Sequence, residues 1–130
     1  MHKLEGVFQI TGWDEAPYAE SPNGAKQTLA KITQQYQGDI SGSSEITYLM
    51  SYQADGTAVF VGMEKITAEI RGKRGSLILQ HQGKFEAGVA SSDFSIVANS
   101  GTEALADLSG KGHFRSTENG QANYFLDQAD

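Results

Sequence analysis

Apolar side chains recur at every second position through most of this sequence, in runs that are interrupted by glycine. The clearest run lies between residues 58 and 66. Alternate residues of this run share a face, with Ala58, Phe60, Gly62, Glu64 and Ile66 on one side and Val59, Val61 and Met63 on the other. Because successive side chains of a β-strand point to opposite faces, a period of two indicates strands rather than helices. The chain is therefore predicted to be all-β.

The period-two runs predict about eight strands. They lie near residues 3–13, 26–37, 43–53, 57–70, 73–85, 88–97, 111–117 and 122–128. Eight antiparallel strands are enough to close a barrel. A chain of 130 residues has room for one hydrophobic core. We therefore predict one domain over residues 1–130, folded as a single antiparallel β-barrel.

Local signals refine this order of elements. Asp55-Gly56 supplies the positive φ of a tight hairpin turn, and a second turn is predicted through residues 71–75. Ser100 and Glu103 have the spacing of a capping box, which predicts one short helix over residues 100–108 as a plug or lid. The segment from residue 14 to residue 24 contains both prolines and is predicted to be the longest loop.

Charge and composition exclude several classes of function. The chain carries a formal net charge of −6, so it repels polyanions and no nucleic-acid partner is expected. It has no cysteine, which excludes thiolate metal sites and cysteine nucleophiles. No apolar run reaches the ~18 residues of a membrane span, and no apolar leader follows Met1, so we expect a cytoplasmic protein without a membrane partner.

The run from residue 58 to residue 66 is apolar on both faces. If Phe60 faces the barrel interior, then Val59, Val61 and Met63 face outward and need a cover. The single predicted helix is too short to supply that cover. We therefore expect a homo-oligomer in which another subunit packs on this outer face.

Glu64 shares its face with Phe60 and Ile66, so an inward orientation would place a carboxylate inside an apolar barrel. Such burial favours the protonated acid, which makes Glu64 a candidate general acid or base. The alternative is a carboxylate that only hydrogen-bonds to a neighbouring hydroxyl or amide.

Residues 76–83 alternate in the same way, so Gln80 and His81 cannot both face the interior. If the face of Leu77 and Leu79 is the core, His81 is buried with it, either as a core histidine or as a ligand-binding group. Tyr48, Phe60, His81 and Gln80 are the candidate ligand-binding residues. No second histidine or acid lies at metal-ligand spacing, so neither a metal nor another cofactor is expected.

Several glycine and aromatic motifs resemble those of one bacterial family. They are Gly12-Trp13-Asp14, Tyr48-Leu49-Met50-Ser51-Tyr52 before Asp55-Gly56, Gly62-Met63-Glu64, Gly72 with Gly75-Ser76, Leu79-Gln80-His81 before Gly83, Ser100-Gly101-Thr102 with Leu105, and Tyr124-Phe125-Leu126-Asp127. The family consists of uncharacterised proteins of about this length that look like the allene oxide cyclase type of barrel. The resemblance covers nearly the whole chain and implies that fold.

The resemblance also implies an activity, since an aspartic-type, self-processing peptidase has been suggested for look-alikes. Its acid and base would be Glu64, Asp127 and Glu45, because two carboxylates that share a proton can activate water on an amide. Two other functions stay open. One is a barrel that binds a small apolar or amphipathic ligand or a peptide without chemistry, and the other is a structural oligomer.

Overall fold

A computed structural model describes residues 2–129 and shows eight strands joined in chain order into a closed antiparallel barrel. The strands are β1 His2–Glu20, β2 Lys26–Gly38, β3 Ile40–Tyr52, β4 Ala58–Ile70, β5 Lys73–Glu86, β6 Val89–Ile96, β7 Gly110–Ser116 and β8 Gln121–Gln128. The barrel closes because β1 pairs with β8 as well as with β2. The predicted fold class is confirmed.

The barrel interior is filled by every second side chain of each strand, as the period of two requires. On β4, Phe60 and Ile66 are buried, whereas Val59, Val61 and Met63 are about half exposed on the outer face. The core also contains Leu4, Phe8, Ile32, Tyr36, Ile46, Tyr48, Leu77, Leu79, Phe94, Phe114, Tyr124 and Leu126. The predicted orientation of the two faces of β4 is therefore correct.

Both predicted hairpin turns are present. Asp55 accepts a hydrogen bond from the Thr57 amide at 2.9 Å, and Gly56 has a φ of 90°. The β4–β5 turn is shorter than predicted, because Arg71 and Gly72 alone form it with φ values of 52° and 81°. Two consecutive positive φ values are typical of the type I′ turn that matches the twist of paired strands.

The predicted helix over residues 100–108 is wrong, because the structure contains only a 3-10 turn at Glu103–Leu105. Two hydroxyls of the segment that was expected to cap the helix accept hydrogen bonds from β5 instead. The Ile78 amide donates to Ser100 Oγ and the Ser76 amide donates to Thr102 Oγ1, both at 3.0 Å. These amides need partners because the β5–β6 pairing begins only at Leu79. No helix among the described residues is long and apolar enough to cross a membrane.

The predicted loop over residues 14–24 is also wrong in extent, since β1 continues to Glu20 and pairs with β2 from Lys26 onward. The register shifts between Ile10 and Gly12 and again between Pro17 and Ala19. Bulges of this kind accommodate proline in a strand. The second half of β1, residues 11–20, is mostly exposed and pairs with the first half of β2. This paired segment forms an arm at one end of the barrel.

The opposite end of the barrel is closed by Tyr124 and the 3-10 turn. The Tyr124 hydroxyl donates to the Gln37 carbonyl at 2.9 Å and accepts from the Ile40 amide at 2.9 Å, which ties β8 to the β2–β3 turn. Leu105 is buried at this end, against Gly75 of β5. Access to the interior is therefore restricted to the end that carries the arm.

Candidate functional site

A cavity of about 410 Å³ lies at the open end of the barrel. Its walls are mainly apolar and aromatic, with Phe8, Ile32, Tyr48, Met50, Phe60 and Phe114 among the lining residues. Its rim is formed by Trp13, Tyr52 and the β7–β8 turn at residues 117–120. A largely apolar, concave site of this size is typical of small-molecule pockets.

Two residues that line the cavity carry a buried polar atom with no hydrogen-bond partner among the described residues. These atoms are Gln34 Oε1 and the Tyr48 hydroxyl oxygen, and both residues are only 4% exposed. Burial raises the pKa of Tyr48 well above its ordinary value, and proximity to Glu64 raises it further. Tyr48 therefore carries a neutral hydroxyl that is free to donate or accept a hydrogen bond.

A hydrogen-bonded network lies deeper in the barrel, and Glu64 is its centre. Glu64 is 1% exposed, and its Oε2 accepts from the Tyr36 hydroxyl at 2.5 Å. Its Oε1 lies 2.7 Å from His81 Nε2, and His81 Nδ1 lies 3.0 Å from Ser92 Oγ. Burial, together with the nearby carboxylate of Glu64, raises the pKa of Tyr36 well above its ordinary value, so Tyr36 donates as a neutral phenol.

Two aromatic rings separate this network from the cavity. The rings of Tyr48 and Phe114 lie 5.6 Å and 5.7 Å from the imidazole of His81, and both rings line the cavity. Tyr36, Glu64 and His81 do not line it. The network thus forms the support beneath the cavity floor, where it fixes the rings that a ligand would contact.

The structure does not bring the three candidate carboxylates together. Glu64 is inside the barrel, but Glu45 and Asp127 are exposed on its outer face. Asp127 lies opposite Lys3 and Lys111 in the sheet register, on the solvent-exposed face of β8. The shared-proton pair that the resemblance implied is therefore not formed by these three residues.

The four candidate ligand-binding residues divide between three locations. Tyr48 and Phe60 line the cavity, and His81 lies beneath its floor. Gln80 is exposed on the outer face, because it alternates with buried Leu79 and His81 along β5. Among residues 2–129, no three His, Asp or Glu side chains lie close enough together to hold a metal ion.

Sequence reasoning missed Tyr36 and Ser92 as partners of Glu64 and His81. Both sit at inward positions of their strands, so the period-two pattern places their hydroxyls in the interior. The hydrogen-bonded series of Ser92, His81 and Glu64 has the same order of hydroxyl, imidazole and carboxyl groups as a catalytic triad. However, Ser92 Oγ is also within hydrogen-bonding distance of the Gln82 and Asp93 carbonyls and does not line the cavity. The geometry indicates a structural hydroxyl.

A second carboxylate, Glu15, fastens the arm to the mouth of the cavity. Its Oε2 accepts from Thr28 Oγ1 at 2.6 Å and from the Tyr52 hydroxyl at 2.7 Å, and its Oε1 accepts from Trp13 Nε1 at 2.9 Å. Partial burial alone would raise the pKa of Glu15, but these hydrogen bonds outweigh it and lower the pKa. Glu15 therefore holds both aromatic side chains of the rim as a carboxylate.

We predict that the rim loosens in acid because of Glu15. A carboxyl group whose pKa is lowered by folding stabilises the folded state above its unfolded pKa, and this contribution is lost as the pH falls through the lowered value. Trp13 fluorescence should therefore change in that acidic range. Glu15→Gln protein should lack this transition, whereas Asp14→Asn protein should keep it. An unchanged transition in Glu15→Gln protein would contradict the assignment.

Comparisons with known proteins agree with the barrel and extend over almost the whole chain. A family model described as "Protein of unknown function (DUF3224)" matches residues 4–127. The crystal structure of a DUF3224 protein of unknown function from Shewanella oneidensis MR-1 is similar, with a TM-score of 0.80 and 26% sequence identity. That similarity covers 99% of this chain and 97% of the other. Among curated proteins, none matches.

Proposed function

This chain belongs to the DUF3224 family, a family of unknown function, and we propose that it is a binding barrel that holds a small, largely apolar ligand in the cavity at its open end. The observation that carries the proposal is the cavity of about 410 Å³ in a barrel whose other end is closed. Family membership confirms the resemblance to uncharacterised proteins. The likeness to allene oxide cyclases and the peptidase activity stay predictions.

The cavity walls support binding because they offer aromatic and aliphatic surface to a ligand. The ring of Phe60 packs 4.6 Å from that of Tyr48, and the ring of Phe8 packs 5.2 Å from that of Phe114. These packed rings form a rigid surface, so a ligand does not need to order them on binding. Burying apolar ligand area against this surface supplies the affinity.

The geometry supports peptidase chemistry less well than binding. Glu64 lies behind the cavity floor, and the outward positions of Asp127 and Glu45 leave it without a second carboxylate. The mass of intact protein during storage separates the two functions. A binding barrel stays intact, whereas a self-processing peptidase yields fragments that diminish in folded Glu64→Gln protein.

The binding function can be tested with the single tryptophan, because Trp13 lies on the cavity rim. We expect N-phenylnaphthylamine, a neutral apolar dye, to bind saturably and to accept excitation energy from Trp13. Ala90→Phe should block the mouth and weaken this binding at least tenfold, because Ala90 lines the cavity. Ser91→Phe places the same ring on the outer face and should leave binding unchanged. Non-saturable binding, or equal loss in both variants, would contradict the proposal.

We also propose that a second copy of the chain covers the outer face of β3 and β4. Leu49 lies opposite Val61 in the register, and Val59 and Met63 flank it, so these four residues form a continuous outer patch. A homodimer with a two-fold axis places the same patch on both sides of the contact. The patch itself is uncharged, so the net charge of −6 does not prevent two copies from meeting there.

Val61→Asp is expected to shift the protein toward monomers in light scattering at micromolar concentration. The substitution puts a charge at the centre of the outer patch, where it would lose hydration in a dimer. Val61 is 50% exposed in one chain, so the fold itself should tolerate the change. Thr67→Asp, at an outward position further along β4, serves as the control. A wild-type protein that is already monomeric would contradict the proposal.

A further inference from the structure

The polar groups of the cavity wall restrict the chemistry of the ligand. Gln34 Oε1 and the Tyr48 hydroxyl are buried in the wall and have no partner among the described residues. Buried polar groups in proteins are nearly always hydrogen-bonded, because an unpaired group loses its hydration without compensation. A ligand that carries one polar group could compensate this loss, whereas a pure hydrocarbon could not.

The two groups lie on neighbouring strands at different heights in the barrel. Gln34 of β2 is opposite Ser44 of β3 in the register, and Tyr48 is four residues further along β3. A ligand in the cavity can therefore meet one polar group at each of two levels. A hydroxyl or an amide suits both positions, because each can donate to Gln34 Oε1 or exchange a hydrogen bond with the Tyr48 hydroxyl.

The charges around the cavity disfavour an anionic ligand. Among residues 2–129, no lysine, arginine or histidine lines the cavity, and Glu118 in the β7–β8 turn is the one carboxylic acid that does. Glu15 adds a second acid beside the rim, through its bonds to Trp13 and Tyr52. A ligand carboxylate would lose its hydration without meeting a cation. An ammonium group at Gln34 would lie too deep in the barrel to contact the acids of the rim, so a cationic ligand would also lose its hydration without meeting an opposite charge.

The size of the cavity limits the ligand to a small molecule. Small-molecule pockets have volumes of about 300–1,000 Å³, and the cavity of about 410 Å³ lies near the lower end of that range. It therefore suits molecules of about one to three rings, such as one aromatic ring with a short alkyl chain and one polar group.

On the basis of the proposed binding function, we infer that the ligand is an uncharged small molecule with an apolar body and a hydroxyl or amide group that hydrogen-bonds to Gln34 or to Tyr48. The apolar body fills the space between the aromatic walls, and the polar group selects among ligands of equal size. Specificity in this site comes from the two buried polar groups, because apolar walls alone discriminate weakly between ligands of similar shape.

A series of compounds with one carbon skeleton tests this inference. The compounds are para-butylbenzyl alcohol, para-butylbenzamide, para-butyltoluene, para-butylbenzylamine and para-butylbenzoate, each used to displace N-phenylnaphthylamine. We expect the alcohol and the amide to bind roughly tenfold more tightly than the other three compounds, as one neutral hydrogen bond predicts. Gln34→Leu or Tyr48→Phe should reduce this difference in affinity between the alcohol and the hydrocarbon.

Two further variants make the test decisive. Gln34→Met preserves the length of the side chain and replaces Gln34→Leu if that variant does not fold. Ser44→Ala removes the hydroxyl opposite Gln34 that does not line the cavity, so it should leave the preference for the alcohol unchanged.

The tightest binding by the carboxylate or the amine, or equal binding of alcohol and hydrocarbon, would overturn the inference while the binding function stands. If the dye binds saturably and Ser44→Ala removes the preference, Gln34 is engaged by Ser44 and the inference is also overturned. If neither the dye nor any compound binds, the proposed function fails together with the inference.

Discussion

Glu64→Leu is expected to lower the free energy of unfolding by about 2–6 kcal/mol, because two buried polar groups each lose a hydrogen-bond partner at a cost of about 1–3 kcal/mol. Glu64 accepts from Tyr36 and bonds to His81 inside the barrel. Leucine has a similar size but can form neither bond, so the Tyr36 hydroxyl and His81 Nε2 would remain buried without these partners, while His81 Nδ1 keeps its contact with Ser92. Urea denaturation followed by circular dichroism measures the loss.

Two controls separate the network from a general effect of substitution. Glu64→Gln should cost only about 1 kcal/mol, because its amide can accept from Tyr36 and donate to His81 Nε2 while Nδ1 donates to Ser92. Glu45→Leu makes the same change at an exposed position of the neighbouring strand and should alter stability by no more than about 0.5 kcal/mol. Equal losses for Glu64→Leu and Glu45→Leu would show that the network contributes nothing specific.

A double variant tests whether Glu64 and His81 act as a pair. In the protein that carries both Glu64→Leu and His81→Leu, no unpaired imidazole remains. Its loss of stability should therefore be smaller than the sum of the two single losses. Additive losses would mean that the two side chains are independent, in contradiction to the 2.7 Å contact between them.

Phe60→Ala is the second substitution with a large expected effect, about 3–5 kcal/mol of stability. Phe60 is 4% exposed, packs against Tyr48 and extends over Gly83, where an added Cβ would clash with its ring. Removing this ring leaves a void that the rigid barrel cannot fill by collapse. Because Phe60 lines the cavity, the variant should also accept larger ligands than the wild type.

Phe125→Ala is the matched control for Phe60→Ala. Phe125 is 41% exposed on the outer face of β8, where it stacks on His113. Its removal should cost less than about 1 kcal/mol and leave the cavity unchanged. If the two variants are equally destabilised, or if Phe60→Ala leaves ligand size preference unaltered, the place assigned to Phe60 in the cavity wall is wrong.

The sequence predicted the interior of β4 and β5 because no bulge interrupts the alternation there. Glu64 follows Phe60 by four residues and His81 follows Leu79 by two, so both side chains had to face the core once their neighbours did. The same reasoning already placed Asp127 outside, because Leu126 and Tyr124 occupy the inward positions of β8. The resemblance, and not the alternation, made Asp127 a candidate.

The contacts between strands were not predictable from the sequence. Tyr36 and Glu64 belong to β2 and β4, which are not neighbours, and their contact depends on strand register and tilt around the closed barrel. The helix predicted over residues 100–108 does not form, for a related reason. Ser100 and Thr102 satisfy amides of β5, so a long-range demand of the sheet overrides a local capping signal.

The central claim is that a ligand binds inside the barrel, and the methionines offer the most direct measurement of it. Met50 lines the cavity, whereas Met63 is half exposed on the outer face. In protein with isotope-labelled methionine methyl groups, added para-butylbenzyl alcohol should shift the NMR signal of Met50 saturably and leave that of Met63 in place. A shift of Met63 alone, or of neither signal, would contradict the account.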